Sequence, residues 1–378
     1  MAGIYIHIPF CRKACTYCNF HFSTSLKLKD DYLQALIKEI LSAENALIED
    51  NHIETIYFGG GTPSLLTAPE LSLILEAINS KFSVDPAAEV TLEANPDDIN
   101  FQHAKNWLGI GINRLSVGLQ SFNEDELKWM NRAHSSLDSL QSLDDVLSAG
   151  FSNFSADLIY GSPLQSNDDL RTNALILFEK RVPHISCYAL TVEPKTALDK
   201  MILNHQSDPV DPEKQAEQFE ILLNLMDQYG YEQYETSNFA LPGYRSKHNS
   251  SYWQGKAYYG FGASAHSYDG IFTRRWNVAN NALYIQFINS GQPAFEEERL
   301  TITQQLNEYI MTSLRTIEGL SLEKVRKEFG EAEFKRLKKS STKYISQLLM
   351  TGDNEVLNLT RKGKFLADGI SSDLFAST

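Results

Sequence analysis

The sequence predicts an α/β fold in which parallel strands alternate with helices. Six short apolar runs have the two-residue period of β-strands, at 4–8, 55–58, 89–93, 114–118, 154–159 and 185–190. Between them, apolar residues recur at helical spacing, as in 32–48 and in 69–82, where a capping box from Thr67 to Glu70 introduces the helix. Repeated strand–helix units form parallel sheets with right-handed crossovers.

Polar and glycine-rich segments distinguish a barrel from an open sheet. They lie at or just after the C-terminal ends of four different predicted strands, at 59–63, 93–96, 120–121 and 157–161. An open doubly wound sheet concentrates its ligand contacts at one switch point, whereas a barrel builds its site from the ends of many strands. We therefore predict a barrel or partial barrel.

The rest of the chain predicts a second unit. A helix over 212–229 closes the first region, and the aromatic-rich stretch 231–276 predicts short strands and loops. Helical patterns return at 308–314, 322–329 and 334–349, followed by a hairpin at 352–359 and a last helix from Thr360. We predict a barrel at 1–235, a connecting strand and loop region at 236–300, and an α+β unit at 301–378.

Composition limits the classes of function. The chain has 378 residues, 42% of them hydrophobic, and 34 basic against 48 acidic side chains give a net charge of −14. Such an acidic chain lacks the basic face that phosphate backbones require, so we expect no nucleic-acid partner. No apolar run reaches the roughly 18 residues of a membrane span, and no secretory signal is visible. We expect a cytoplasmic protein.

Three of the four cysteines form a CxxxCxxC motif at Cys11, Cys15 and Cys18, while Cys187 lies in a predicted strand and is expected to be a core residue. In a reducing compartment such clustering indicates metal ligation. With His21 the thiolates would make a Cys3His zinc site. Three thiolates on one loop instead suit an iron–sulfur cluster with one iron free of protein ligands, and the spacing favours this alternative.

A second motif, Gly59-Gly60-Gly61-Thr62-Pro63, is rich in glycine and follows a predicted strand. Consecutive glycines allow the backbone to approach a ligand closely. A phosphate cradle is one interpretation, although the lysine of a P-loop is missing, and a tight turn is another. A third interpretation takes the motif together with the cysteine loop. It would then bind a small zwitterion that chelates the iron without a protein ligand.

Together these motifs resemble the coproporphyrinogen dehydrogenase branch of the radical S-adenosylmethionine (SAM) superfamily. The matching segments are 5–11 with the cysteine motif, GGGTP, EANP at 93–96, Gln120-Ser121-Phe122, Asn131-Arg132-Ala133-His134 and 157–161. The resemblance implies a partial (β/α)6 TIM-like barrel and a winged-helix-like C-terminal module for partner contact. It also implies a 4Fe-4S cluster on Cys11, Cys15 and Cys18, with SAM on the open iron.

The resemblance further implies a set of SAM contacts: Tyr5 and Tyr17 beside the cluster, Gly60, Gly61 and Thr62 at the methionyl part, Glu93, Asp157, Gln120 and Arg132 as polar contacts, and Ala189 as a backbone contact to adenine. Carboxylates accept hydrogen bonds from ribose hydroxyls, and a guanidinium fork pairs with a carboxylate. For Glu93 and Asp157, a buried ion-pair network is the alternative.

Two departures indicate a sister group of haem chaperones. Phe20 stands where the porphyrinogen-decarboxylating enzymes have a fourth cysteine, and the extension that precedes their cysteine motif is not in this sequence. The HNxxYW motif typical of the sister group is present at 248–253. Histidine and tyrosine are known haem ligands, and aromatic rings offer faces for a macrocycle.

The motif therefore makes His248, Tyr252 and Trp253 candidates for haem binding. The alternative is that Tyr252 and Trp253 are inter-domain core and that His248 is a satisfied loop residue. No axial ligand is assigned.

The resemblance implies a chaperone that binds haem and passes it to an acceptor, with respiratory haem proteins as acceptors and with membrane-surface contact and a homodimer as further expectations. A second hypothesis is a radical enzyme that abstracts hydrogen from, or methylates, a porphyrin-like substrate. Phe20 disfavours coproporphyrinogen decarboxylation. A third is a zinc protein with a winged-helix-like module.

Overall fold

A computed structural model of the chain describes residues 2–43, 48, 52–352 and 355–377. Twelve strands form one sheet: β1 (Ala2–Ile8), β2 (His52–Gly60), β3 (Ser83–Ala94), β4 (Arg114–Gln120), β5 (Phe154–Tyr160), β6 (His184–Ala189), β7 (Glu232–Gln233), β8 (Asn238–Ala240), β9 (Tyr258–Phe261), β10 (His266–Tyr268), β11 (Thr273–Asn277) and β12 (Phe295–Arg299). A separate small sheet contains β13 (Leu320–Ser321), β14 (Met350–Gly352) and β15 (Val356–Leu359).

The large sheet is a partial barrel. Strands β1 to β6 lie side by side in chain order, and every neighbouring pair is parallel. The strand β9 extends the parallel part on the other side of β1, with Gly3 opposite Tyr258. Antiparallel strands flank both sides, and β7 and β12 are the two edges among the described residues. The predicted α/β fold is confirmed. The short strands predicted in 231–276 include β9, whose parallel place beside β1 the sequence did not predict.

The helices of the first region are α1 (Lys29–Ser42), α2 (Ala68–Lys81), α3 (Phe101–Gly109), α4 (Glu124–Trp129), α5 (Ser136–Ala149), α6 (Asn167–Glu179), α7 (Ala197–Leu203), α8 (Pro212–Gln228), α9 (Lys247–Trp253) and α10 (Asn281–Ser290). The capping box from Thr67 to Glu70 is formed as predicted. The helix predicted over 32–48 ends at Ser42, and residues 44–47 lie outside the described residues.

The prediction of only strands and loops in 231–276 is wrong for the HNxxYW motif. This motif lies on α9, where the Ser246 hydroxyl accepts a hydrogen bond from the Asn249 N–H at 3.3 Å. Serine is a favoured N-cap because it satisfies a backbone N–H that the first helical turn leaves free. The cap starts a helix too short for a clear apolar period, which is why the pattern did not show it.

The C-terminal unit has its own hydrophobic core, formed by residues between Leu306 and Leu374. Its helices are α11 (Ile302–Leu314), α12 (Leu322–Phe329), α13 (Glu331–Ser346), α14 (Arg361–Lys364) and α15 (Ala367–Leu374). The predicted hairpin consists of β14 and β15, which pair antiparallel, while residues 353–354 lie outside the described part. The single helix predicted from Thr360 is in fact two short helices.

The first region and the C-terminal unit meet through polar and aromatic contacts. The Arg361 guanidinium donates to Glu220 at 3.0 Å and to Asp227 at 3.1 Å on α8, and the rings of Phe219 and Phe365 lie 6.0 Å apart. Residues 236–300, predicted as a connecting region, supply β8 to β12 to the large sheet. Within the described residues, no helix is both long and apolar enough to cross a membrane.

Candidate cofactor site

The cysteine loop, residues 11–18, follows β1 and is anchored by contacts from distant parts of the chain. The Thr16 N–H donates to the Met130 carbonyl at 3.1 Å, and the Thr16 carbonyl accepts from the Leu198 N–H at 2.8 Å. The Asn131 side-chain amide donates to the Ala14 carbonyl at 2.8 Å. These bonds tie the loop to the segments after α4 and at the start of α7, so its backbone is held before any metal binds.

The three loop thiols open onto one cavity of about 480 Å³ at the C-terminal end of the parallel strands. All the predicted SAM residues except Tyr5 line the same cavity: Tyr17, Gly60, Gly61, Thr62, Glu93, Gln120, Arg132, Asp157 and Ala189. Tyr5 lies behind its wall, with its ring stacked on that of Tyr57 at 6.2 Å. Residues from seven separate segments of the chain thus converge, as the barrel prediction required.

The glycines after β2 allow the cavity wall to close against β1. Gly60 has a φ of +109°, and a Cβ there would lie 2.6 Å from the ring of His7. A Cβ on Gly61 would lie 2.7 Å from the Phe10 carbonyl oxygen. Such distances are far below van der Waals contact, so only glycine fits at either position. The Gly61 N–H donates to the Ile8 carbonyl at 2.9 Å, which completes the junction.

Glu93 and Asp157, two of the carboxylates that line the cavity, have no ion-pair partner within 4.0 Å among the described residues, which does not support the ion-pair alternative. Glu93 accepts from the Tyr57 hydroxyl at 2.8 Å and from the Gly60 N–H at 3.2 Å. Burial raises the pKa of Glu93 to about 7. Burial likewise raises the pKa of Asp157, which accepts a hydrogen bond from Ser116 Oγ at 3.2 Å. Both are acceptors for hydroxyl or ammonium groups of a ligand.

Arg132 connects the cysteine loop to the opposite wall. Its Nη1 donates to Cys15 Sγ at 3.2 Å, and its Nη2 donates to Asn95 Oδ1 and to the Gly118 carbonyl, both at 2.7 Å. Its Nε is buried and has no partner among the described residues. A buried donor of this kind calls for an acceptor. A ligand carboxylate in the cavity is a group that would supply one.

The thiols fit an iron–sulfur cluster chemically. Burial raises the pKa of Cys11 to about 11 and also raises that of Cys18, so metal binding must displace their protons. No three His, Cys, Asp or Glu side chains of the described part converge on a position for one ion, whereas a cubane takes each thiolate on a different iron. His21, the fourth ligand of the zinc alternative, is engaged through Nε2 with Asn281 Oδ1 at 2.7 Å.

The HNxxYW motif lies outside this cavity. His248 is 1% exposed, its Nδ1 lies 2.8 Å from Thr55 Oγ1, and its Nε2 lies 2.9 Å from the Tyr252 hydroxyl. With both ring nitrogens engaged, this arrangement gives no support to His248 as an axial ligand. Trp253 faces the C-terminal unit, where the Arg315 guanidinium lies 5.3 Å from its ring. Haem roles for Tyr252 and Trp253 stay predictions.

Several residues that line or support the cavity were not predicted from the sequence. Tyr57 supports Glu93, Ser116 supports Asp157, and Tyr188 lines the cavity beside Ala189. The alternation of strand residues would have indicated Tyr57, two positions before Gly59 on β2. Cys187 is buried in β6, as predicted.

Comparisons with known proteins agree with this geometry. The family model described as Radical SAM superfamily matches residues 5–175, and that described as HemN C-terminal domain matches residues 300–366. The fold is similar to that of coproporphyrinogen III oxidase (HemN) from Escherichia coli, a radical SAM enzyme, with a TM-score of 0.86 and 23% identity over 99% of this chain and 90% of that chain. At this identity the likeness shows the fold alone. The matching family models identify the class as the radical SAM proteins.

Curated relatives narrow the class. The protein named Heme chaperone HemW from Bacillus subtilis is 35% identical over 375 residues, which cover 98% of each chain. The protein of the same name from Lactococcus lactis is 33% identical, over 97% of this chain and 98% of its own. That from Escherichia coli is 33% identical, over 84% of this chain and 83% of its own. The chain belongs to the HemW family of radical SAM proteins, which confirms the resemblance seen in its motifs.

Proposed function

We propose that this protein is a haem chaperone that carries a SAM-ligated 4Fe-4S cluster, binds haem and transfers it to an acceptor protein. The observation that carries the cofactor part is the convergence of three thiols and the predicted SAM residues on one cavity. The haem part is supported by relatives named heme chaperones that match the chain over almost its whole length.

Cys11, Cys15 and Cys18 would hold the cluster, and its remaining iron would be open to SAM. A SAM-ligated cluster of this kind supplies one-electron chemistry when it is bound. Arg132 would direct its spare Nε–H to the SAM carboxylate while its Nη1 stays on Cys15. A guanidinium that donates to the thiol and to the SAM carboxylate at once would fix the position of SAM relative to the cluster.

The carboxylates would orient the rest of SAM. Glu93 and Asp157 would accept hydrogen bonds from its hydroxyl and ammonium groups, with Tyr57 and Ser116 holding the two acceptors in place. Gly60 and Gly61 would present backbone to the methionyl part. Glycine is required at both positions because a side chain would meet His7 or Phe10. Tyr17 would pack beside the cluster.

The acceptor that we propose is a respiratory haem protein. Membrane-surface contact and homodimer formation, both expected from the resemblance, belong to the same proposal, as does a cytoplasmic location. The net charge of −14 gives no attraction to nucleic acid.

Anaerobic reconstitution followed by haem titration tests the proposal. The reconstituted protein is expected to show iron–sulfur absorption, to bind haem at a defined stoichiometry and to transfer it to an apo-haem protein that is added afterwards. Failure of the fully reconstituted protein to bind haem would exclude the chaperone function. Turnover of SAM to 5'-deoxyadenosine that rises with an added porphyrin would favour a radical enzyme instead.

A further inference from the structure

The mouth of the cofactor cavity is lined by side chains that are not among the predicted cluster and SAM contacts. We define this cavity mouth by Lys13, Phe20, Phe22 and Tyr188, all of which line the cavity. Phe20 is 69% exposed and Tyr188 is 42% exposed, although both are large aromatic residues. Phe20 and Phe22 stand on the segment after Cys18, and Tyr188 stands across from them at the end of β6.

Exposed aromatic rings beside a cation without a partner indicate which kind of ligand the cavity mouth can bind. Such rings gain free energy when an apolar surface covers them, and their faces prefer flat partners. Lys13 is exposed and has no hydrogen bond or ion pair in the part of the chain that the structure describes. The ligand that fits this combination is a planar apolar ring system that carries carboxylates at one edge.

We propose that haem binds at the cavity mouth, with its macrocycle against Phe20, Phe22 and Tyr188 and a propionate on Lys13. This assignment rests on the proposed function, since it names the site of the ligand that the chaperone carries. It also gives a role to the exposed ring of Phe20.

The groove between α9 and the C-terminal unit is the competing position, because Trp253 and several tyrosines line it. Its cations are already committed to carboxylates within 4 Å. Arg274 pairs with Glu308, Lys256 with Glu54 and Lys324 with Glu328. A propionate would have to displace one of these carboxylates, whereas Lys13 is available.

The chemistry of the cavity mouth also suits a chaperone that must release its haem. Haem held by ring contacts and one exposed ion pair can leave without breaking a bond between the protein and iron. An acceptor that offers an axial ligand would therefore withdraw it readily. A buried histidine ligand such as His248 would first have to give up its bonds to Thr55 and Tyr252.

Point variants at the cavity mouth test the assignment by anaerobic haem titration. For Phe20→Ser and for Lys13→Glu we expect affinity for haem to fall roughly three- to tenfold each, and for the double variant the losses to multiply. Iron content and SAM binding measured on the same samples should equal those of the wild type. The matched controls are Phe101→Ser and Lys105→Glu on α3, because Phe101 is 45% exposed and both lie outside the cavity lining.

Hydrogen exchange on the wild-type protein gives a measurement that needs no variant. Addition of haem should slow exchange in 19–22 and 188–191 and leave α9 unchanged. Protection confined to α9 and β9 would overturn the assignment, as would wild-type haem affinity in the Phe20→Ser, Lys13→Glu double variant. These outcomes differ from failure of the proposed function, in which the reconstituted wild type itself binds no haem.

Discussion

The imidazole ring of His248 stacks on the phenol ring of Tyr57, with centroids 5.0 Å apart and 21° between the planes. Tyr57 donates its hydroxyl hydrogen to Glu93, which lines the cofactor cavity. His248, the first residue of the HNxxYW motif, therefore contacts Tyr57 from behind, and Tyr57 in turn supports Glu93 in the cavity wall.

This relationship predicts that His248→Ala weakens SAM binding although His248 lies outside the cavity. Loss of the ring leaves Tyr57 without its stacking partner and leaves the Thr55 and Tyr252 hydroxyls unpaired, at about 1–3 kcal/mol for each buried group. We expect a lower melting temperature and roughly tenfold weaker SAM binding. His248→Phe, which keeps the ring, should recover SAM affinity better than stability, and Lys247→Ala on the same helix is the control. Unchanged SAM affinity in His248→Ala would contradict the coupling.

Glu93 makes SAM binding depend on pH. Because burial raises the pKa of Glu93 to about 7, the group is largely protonated one unit below that value and ionised one unit above it. The ionised form is the better acceptor, so SAM affinity should rise with pH between about 6 and 8, by up to roughly tenfold. Calorimetric titrations of wild type and Glu93→Gln check this, and the variant should show a flat profile. An equally steep profile in Glu93→Gln would assign the dependence to another group.

Arg132→Lys should separate charge from geometry at the cysteine loop. Lysine keeps the positive charge but cannot reach Cys15, Asn95 and Gly118 together with a spare donor. We expect SAM affinity at least tenfold lower, since hydrogen bonds to charged groups contribute about 1.5–3 kcal/mol each. Iron retention after gel filtration should fall as well. Arg171→Lys on the exposed face of α6 is the matched control, and equal losses in both would point to a general effect.

The four cysteines should divide into two classes on substitution. Cys11→Ala removes a cluster ligand, so iron, sulfide and visible absorption per protein should drop sharply after anaerobic reconstitution. Cys187→Ala changes only a buried strand residue, with full iron content expected and a stability loss of about 1 kcal/mol. Both are measured by metal analysis and thermal unfolding. Loss of the cluster in Cys187→Ala with an intact fold would contradict the prediction that Cys187 is a core residue.

The parallel strands were predictable because their signals are local. The runs that become β1 to β6 alternate in hydrophobicity, and the box at Thr67 and Glu70 starts α2 as it would in a peptide. The strand β9 lies in 231–276, where the sequence predicts short strands without locating them, and its place is set by pairing with β1 and β10. Tertiary pairing of this kind cannot be read from a short aromatic run.

The candidate site was predictable in part for the same reason. Motif residues such as Gly60, Glu93 and Arg132 stand in recognisable order along the chain, and the fold brings them to one cavity. The position of His248 was not predictable, because its two hydrogen bonds reach a residue on a distant strand and one on its own helix. A sequence pattern shows that a histidine is present, while burial decides what the histidine can bind.

The place of β1 in the sheet has a consequence for the order of events during synthesis. Its neighbours are β2 and β9, so the strand that leads into the cysteine loop cannot be flanked on both sides until residues 258–261 have left the ribosome. The N-terminal strand is thus among the last to be completed. Maturation of the cluster on residues 11–18 should therefore follow translation of most of the chain, and a nascent chain that is halted before residue 258 should acquire little iron.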